Sequence, residues 1–210
     1  MRTVIIGAAG SIGKSILEEA LRRGHQVTAV VRNPDKLEAY RDKIHVAEAS
    51  TLDPDALTEA VRGAEAVISA YGPQFGQEEE LLEAARNQLE ACRRSGVSRL
   101  LVVGGAGSLV AENGEMLMNT AEFPAELRPV AQAHSDALEI YKASDLDWTY
   151  LSPAAMIEPG KRSGQFRIGM DHLVVDESGS SRISIEDYAV AMLDELEDPQ
   201  FIRARFTVGY

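Results

Sequence analysis

The chain has little of several things that would have set its chemistry. Cys92 is the only cysteine in 210 residues, so no internal disulfide or thiolate metal cluster can form, and a reducing cytoplasm is the expected compartment. The four histidines, His25, His45, His134 and His172, lie scattered without metal-ligand spacing, and no metal site is expected. No apolar run is long enough to span a membrane. The opening MRTVIIGAAG also lacks the basic-then-apolar build of a signal peptide, and it reads as a first strand. Positive charge is scarce: 21 Lys and Arg stand against 33 Asp and Glu, a formal net charge of -12. That balance argues against nucleic acid or an anionic membrane surface as partner, because phosphate binding draws on clustered cations. No serine sits in a Gly-x-Ser-x-Gly elbow, which leaves hydrolase chemistry without support.

What is present is the composition of an ordinary globule, 45% hydrophobic and 26% charged, long enough for one continuous core, and residues 1–210 are expected to form one domain. Short apolar runs alternate with helical-period stretches. The strand candidates are residues 3–6, 26–31, 44–47, 66–69, 100–103 and 148–151, a βαβ rhythm that predicts an α/β fold. The expected architecture is a doubly wound parallel sheet of the Rossmann type with short C-terminal elements on the substrate side. Ile12, Ile16, Leu17, Ala20 and Leu21 form the apolar face of a helix over 11–23, ended by Gly24. Residues 80–94 read as a second helix, with Glu78, Glu79 and Glu80 placed to suit its dipole. Residues 183–197 read as a packed C-terminal helix with Ile185, Ala189, Met192, Leu193 and Leu196 on one face. Ser184 is its expected N-cap and Asp187 the capping-box partner. Residues 104–129 break the rhythm directly after the fifth strand and are a candidate lid, in which Met116, Met118 and Phe123 offer an adaptable apolar wall or simply anchor the loop.

The sharpest motif is VIIGAAGSIGKS, with glycines at 7, 10 and 13 between a buried strand and an amphipathic helix. Gly7 permits the tight turn, Gly10 lets backbone approach a pyrophosphate, and Gly13 lets the helix pack on the strand, with the helix N-terminus aimed at phosphate. Ala9, Ser11 and Ile12 complete the candidate cofactor turn. Ser11 either caps the helix or contacts phosphate. Arg32 ends the second strand, where an NAD-preferring site usually carries an acid for the ribose hydroxyls. A guanidinium there can grip a 2'-phosphate, which favours NADP(H) over NAD(H). Lys14 and Lys36 read as surface lysines that can add positive potential.

With these pieces in place the chain resembles the atypical short-chain dehydrogenase/reductase proteins that bind NAD(P)H, the group with NmrA-like, flavin-reductase-like and biliverdin-reductase-B-like members. The resemblance runs through GAAGSIG, STLDPDAL, GAEAVISAYG, LLVVGGAGSL, DLDWTYLSPA, SRISIEDYAVAMLDELEDP and RFTVGY. It implies that Thr51 and Leu52 lie near the adenine, that Ala70, Tyr71 and Gly72 line the cofactor ribose, and that Pro153, Ala154 and Ala155 flank the nicotinamide. Ser50 stands where this group often has an acid, while Asp53 matches a later acid of the same motif or simply caps the next helix.

The Tyr-x-x-x-Lys pair that short-chain dehydrogenases use on alcohols is missing, since none of the six tyrosines has lysine four residues on. That weakens alcohol dehydrogenation and the epimerase or dehydratase reading. Hydride transfer to a flavin or quinone needs little beyond stacking the acceptor on the nicotinamide. Ser108 and His134 are the candidate catalytic residues; their bland readings are a loop hydroxyl bonding its own backbone and a partly exposed histidine near a helix start. The expected function is an NADPH-dependent reductase of a small planar acceptor, as monomer or homodimer. The alternative is a non-enzymatic NADP(H) sensor of the NmrA-like type.

Overall fold

The computed structural model describes residues 1–210. Strands β1 (Arg2–Ile6), β2 (Gln26–Val31), β3 (His45–Glu48), β4 (Ala66–Ser69), β5 (Arg99–Val103) and β6 (Asp147–Ser152) alternate with helices α1 (Ser11–Arg22), α2 (Pro54–Val61), α3 (Glu80–Ser95) and α4 (Arg128–Lys142). Between β2 and β3 the connection is a short 3-10 segment, Pro34–Tyr40. The C-terminal third adds β7 (Met156–Glu158), β8 (Arg167–Gly169), β9 (Arg182–Ser184), α5 (Ile185–Glu197) and β10 (Ala204–Gly209).

Eight strands form one sheet in the order β3-β2-β1-β4-β5-β6-β10-β8, and β7 pairs with β9 in a small second sheet. Every pairing in the large sheet is parallel except that of β8 with β10. The order 3-2-1-4-5-6 is the doubly wound Rossmann arrangement, and strand order reverses between β1 and β4. Side chains of one strand alternate between the two faces. Ile5 joins a core with Leu17, Tyr188, Leu193 and Phe206, beneath α1 and α5. Its neighbours Val4 and Ile6 join the other, with Leu57, Leu89, Trp148 and Tyr150, beneath α2, α3 and α4. Both faces of the central strands are therefore covered, which is why all four residues of β4, Ala-Val-Ile-Ser, are buried.

The C-terminal helix differs from the sequence reading. It begins at Ile185, because Ile183 belongs to β9 and pairs with Ile157. Nor is it one-faced: Tyr188, Val190, Ala191, Met192 and Leu193 are all buried, since α5 packs beside α1 over the sheet and against β9. Its N-terminus also makes only half of a capping box. Ser184 Oγ accepts the Asp187 N–H at 3.0 Å, but the Asp187 carboxylate turns away to Ser163, Gly164 and Tyr210. The Ser184 N–H is taken by the Tyr210 hydroxyl at 3.2 Å. Burial would raise the Asp187 pKa, but the donated bonds from Ser163, Gly164 and Tyr210 outweigh it and hold the carboxyl below its usual range.

No helix is long and apolar enough to cross a membrane. The Cys92 thiol is buried, and burial raises its pKa to about 12, which keeps it an unreactive packing group.

Candidate functional site

A cleft of about 520 Å³ opens at the carboxyl ends of β1, β2, β3 and β4, on the side where the strand order reverses. Of the expected cofactor residues, Gly7, Ala9, Gly10, Arg32, Thr51, Ala70, Tyr71 and Gly72 line it. Asn33, Lys36 and Ala49 line it too, and sequence reasoning did not mark Asn33 or Ala49. Both follow strand ends that the parallel register of β2 on β1 and of β3 on β2 aligns along one carboxyl edge. Ser11, Ile12, Gly13, Leu52, Pro153, Ala154 and Ala155 lie outside its lining.

The three glycines differ in what requires them. Gly7 has φ +77°, and a Cβ there would stand 2.6 Å from the Ala70 carbonyl oxygen, so turn and strand approach both exclude a side chain. A Cβ on Gly13 would meet the Gly7 carbonyl oxygen at 2.2 Å, which is the close helix-on-strand packing expected of the third glycine. Gly10 is unlike them, since its nearest neighbour would be 3.5 Å away and its φ is negative. The protein's own packing leaves room there, so the missing side chain clears space above the backbone. Gly10 is itself the N-cap of α1, and no side chain caps that end. Ser11 therefore does not cap the helix; its side chain is exposed, and the first N–H groups of α1 point outward as an anion cradle. These features fit a pyrophosphate.

Charge around the cleft follows from what is already paired. Arg32 is exposed and makes no ion pair or hydrogen bond with the protein. Lys36 likewise faces the cleft, whereas Lys14 lies 5.8 Å over the Tyr40 ring and does not line it. Tyr71 donates to Glu80 Oε2 at 2.9 Å, and burial together with that carboxylate raises its pKa to about 12. Glu80 thus serves the site as well as the start of its helix.

The wall of the cleft behind Thr51 is a hydrogen-bond chain. Gln88 donates to Thr51 Oγ1 at 3.2 Å and accepts from Tyr141 at 2.9 Å, while Asn87 holds the Thr51 carbonyl. Ser50 accepts the Leu52 N–H in a local turn. Asp53 caps α2 through the N–H groups of Asp55 and Ala56, which supports its structural reading.

Farther along the carboxyl edge, the ends of β5 and β6 carry the remaining candidates. Pro153 and Ala154 are buried, and only Ala155 of the expected nicotinamide segment is exposed. Ser108 Oγ accepts from Arg205 at 2.8 Å, and Arg205 also binds Asp171. His134 is the seventh residue of α4, well past the helix start, and rests against Gly105. Its Nδ1 lies 3.2 Å from the Tyr150 hydroxyl. Burial lowers the His134 pKa from 6.5 to about 4, so at neutral pH the ring is uncharged and carries a single N–H. No hydrogen bond joins Ser108 to His134. Neither side chain lines the dinucleotide cleft.

The segment 104–129 is anchored at several points. Leu109 is fully buried, Met118 is buried, and Val110 bridges to both Met116 and His172. Met118 therefore anchors the loop, Met116 is exposed, and Phe123 is half-buried, so the three do not form one continuous wall.

The model of the NAD(P)H-binding family matches residues 7–196. YwnB of Bacillus subtilis (strain 168), a protein without an assigned activity, is 42% identical over 212 residues, spanning 99% of this chain and 98% of its own length. A candidate epimerase from Bacteroides thetaiotaomicron superposes with a TM-score of 0.92 at 41% identity, covering 100% of this chain and 96% of that one. A candidate NADH-flavin reductase from Streptococcus pneumoniae gives a TM-score of 0.88 at 32% identity, covering 100% and 99%. The fold, the glycine turn at its switch point and these matches agree: the chain belongs to the NAD(P)H-binding family of atypical short-chain dehydrogenase/reductase proteins.

Proposed function

We propose that this protein is an NADPH-dependent oxidoreductase of the cytoplasm that reduces a flavin or another small planar acceptor, such as a quinone. The observation that carries the reading is the cleft itself: a phosphate cradle at Gly7–Gly13 with an unpaired Arg32 at its far wall. NADPH bound there supplies a hydride equivalent, and the acceptor takes that hydride with one proton from water. Arg32 grips the 2'-phosphate with help from Lys36, and Gly10 with the α1 N-terminus holds the pyrophosphate. Tyr71 and Gly72 border the ribose, Thr51 and Leu52 the adenine side, and Pro153, Ala154 and Ala155 the nicotinamide side. Ser108 and His134 bind and orient the acceptor without an ionisable relay, in keeping with the missing tyrosine-lysine pair.

The pneumococcal relative, a candidate NADH-flavin reductase, supports a flavin as acceptor. Arg32 is the reason for preferring NADPH here. Fluorescence titration of the protein with NADPH and NADH tests this directly. NADPH should bind at least about tenfold more tightly, and Arg32→Ala should abolish the difference. Equal affinities in the parent protein would remove the 2'-phosphate from the reading. Steady-state NADPH oxidation with FMN, riboflavin and quinones tests the activity. Tight binding with no turnover across that panel would instead favour a cofactor sensor.

A further inference from the structure

The hydrogen-bond network around His134 fixes which ring nitrogen carries its proton. The Tyr150 hydroxyl lies 2.9 Å from the His134 carbonyl oxygen. A carbonyl only accepts, so the single hydroxyl proton of Tyr150 points there. The same oxygen is 3.3 Å from the Gly105 N–H and 3.2 Å from His134 Nδ1. Having given its proton away, it accepts from both, and Nδ1 must be protonated. Burial pushes the Tyr150 pKa well above its ordinary value, so that hydroxyl proton stays in place. One proton on a neutral imidazole leaves Nε2 bare. This nitrogen has no protein partner, and it is not among the sealed polar atoms of the interior. The ring stands over the Gly105 backbone just beyond β5, at the carboxyl edge where open α/β sheets take their ligands.

From this geometry we infer that His134 presents Nε2 as a fixed hydrogen-bond acceptor and selects acceptor molecules that bring an N–H, such as the imide of a flavin, over quinones, which carry only carbonyl oxygens. The inference rests on the proposed reductase reading and narrows it. Tyr150 is a positioning residue that holds the tautomer, and no proton leaves or enters the ring. A quinone oxygen placed against Nε2 would set two lone pairs face to face, and its site would lose a bond that water had supplied.

Two measurements on the full chain test the inference. Nitrogen NMR of ¹⁵N-histidine-labelled protein at pH 7 should show Nδ1 protonated and Nε2 unprotonated for His134. A protonated Nε2 would overturn the inference. Equilibrium binding with saturating NADP⁺ should show riboflavin bound about tenfold more tightly than N3-methylriboflavin or 2-methyl-1,4-naphthoquinone. The preference over the methylated flavin should shrink toward unity in His134→Ala and fall part-way in Tyr150→Phe. Equal binding of the methylated flavin to the parent protein, or no riboflavin binding at all, would also overturn it. Because the readout is binding, the two readings fail separately: selective riboflavin binding without turnover leaves the inference standing and removes the reductase.

Discussion

At the scale of single residues, two glycines separate packing from ligand binding. Gly13→Ala puts a Cβ 2.2 Å from the Gly7 carbonyl, a backbone atom that cannot swing aside. It should cost about 1–3 kcal/mol in urea unfolding as well as cofactor affinity. Gly10→Ala meets nothing closer than 3.5 Å, so stability should stay within about 0.5 kcal/mol while NADPH affinity drops at least about tenfold. Equal loss of stability in the two variants would contradict this division. His134 has a different signature. Its folded pKa of about 4 lies below the ordinary 6.5, so its contribution to stability is complete above pH 6.5 and is lost as pH falls toward 4, where the unfolded chain binds a proton and the folded one resists it. Melting temperature measured against pH should therefore fall more steeply between 6.5 and 4 in the parent protein than in His134→Phe.

At the scale of elements, the C-terminal helix shows how one terminus is held by several parts of the chain. Ser184 Oγ accepts the Asp187 N–H, donates to the Lys161 carbonyl at 2.8 Å and lies 2.8 Å from the Tyr210 hydroxyl. Ser184→Ala should cost about 1–2 kcal/mol, at the upper end for an N-cap, because it unties the 159–166 strap and the last residue together. A loss below a few tenths, read by urea unfolding, would mean that Tyr210 and water replace the hydroxyl. The strap has a second tie in Arg162, which binds Glu19 at 2.7 Å. Hydrogen bonding from Arg162, opposed by burial and aided by Arg23, lowers the Glu19 pKa to about 2. That tie persists throughout the neutral range.

At the scale of the whole molecule, the buried Arg99–Glu195 pair joins β5 to α5 at 2.8 Å. Thr149 and the backbone of Phe201 bond to the pair, while the buried Arg99 Nε has no partner. Burial lowers the Arg99 pKa, with Glu195 opposing the shift, so removing the partner strands a charge in the core. Glu195→Ala should destabilise by about 3–5 kcal/mol. The exposed pair Arg93–Asp145 provides the contrast: Arg93→Ala should cost less than about 1 kcal/mol. Comparable losses from the two substitutions would mean that Arg99 relaxes to water.

The amino-acid sequence by itself determined the elements that local chemistry specifies. The apolar runs of β1, β2, β4, β5 and β6, the 3.6-residue periodicity of α1 and α3, and the glycine turn are all read within a dozen residues of chain. The parallel order and the position of the dinucleotide cleft followed from that alternation. Tertiary structure decided what depends on distant partners. The strands β7, β8 and β9, three residues each, have too few residues for a periodic signal and exist because a neighbour pairs with them. Asp187 looked like a local cap, yet it turned to Ser163 and Tyr210 because the strap and the C-terminus bring stronger donors. His134 looked like a titrating acid because an isolated imidazole is one. Its burial against Gly105 and Tyr150 made it neutral and set its tautomer, and only the packed structure supplies those neighbours.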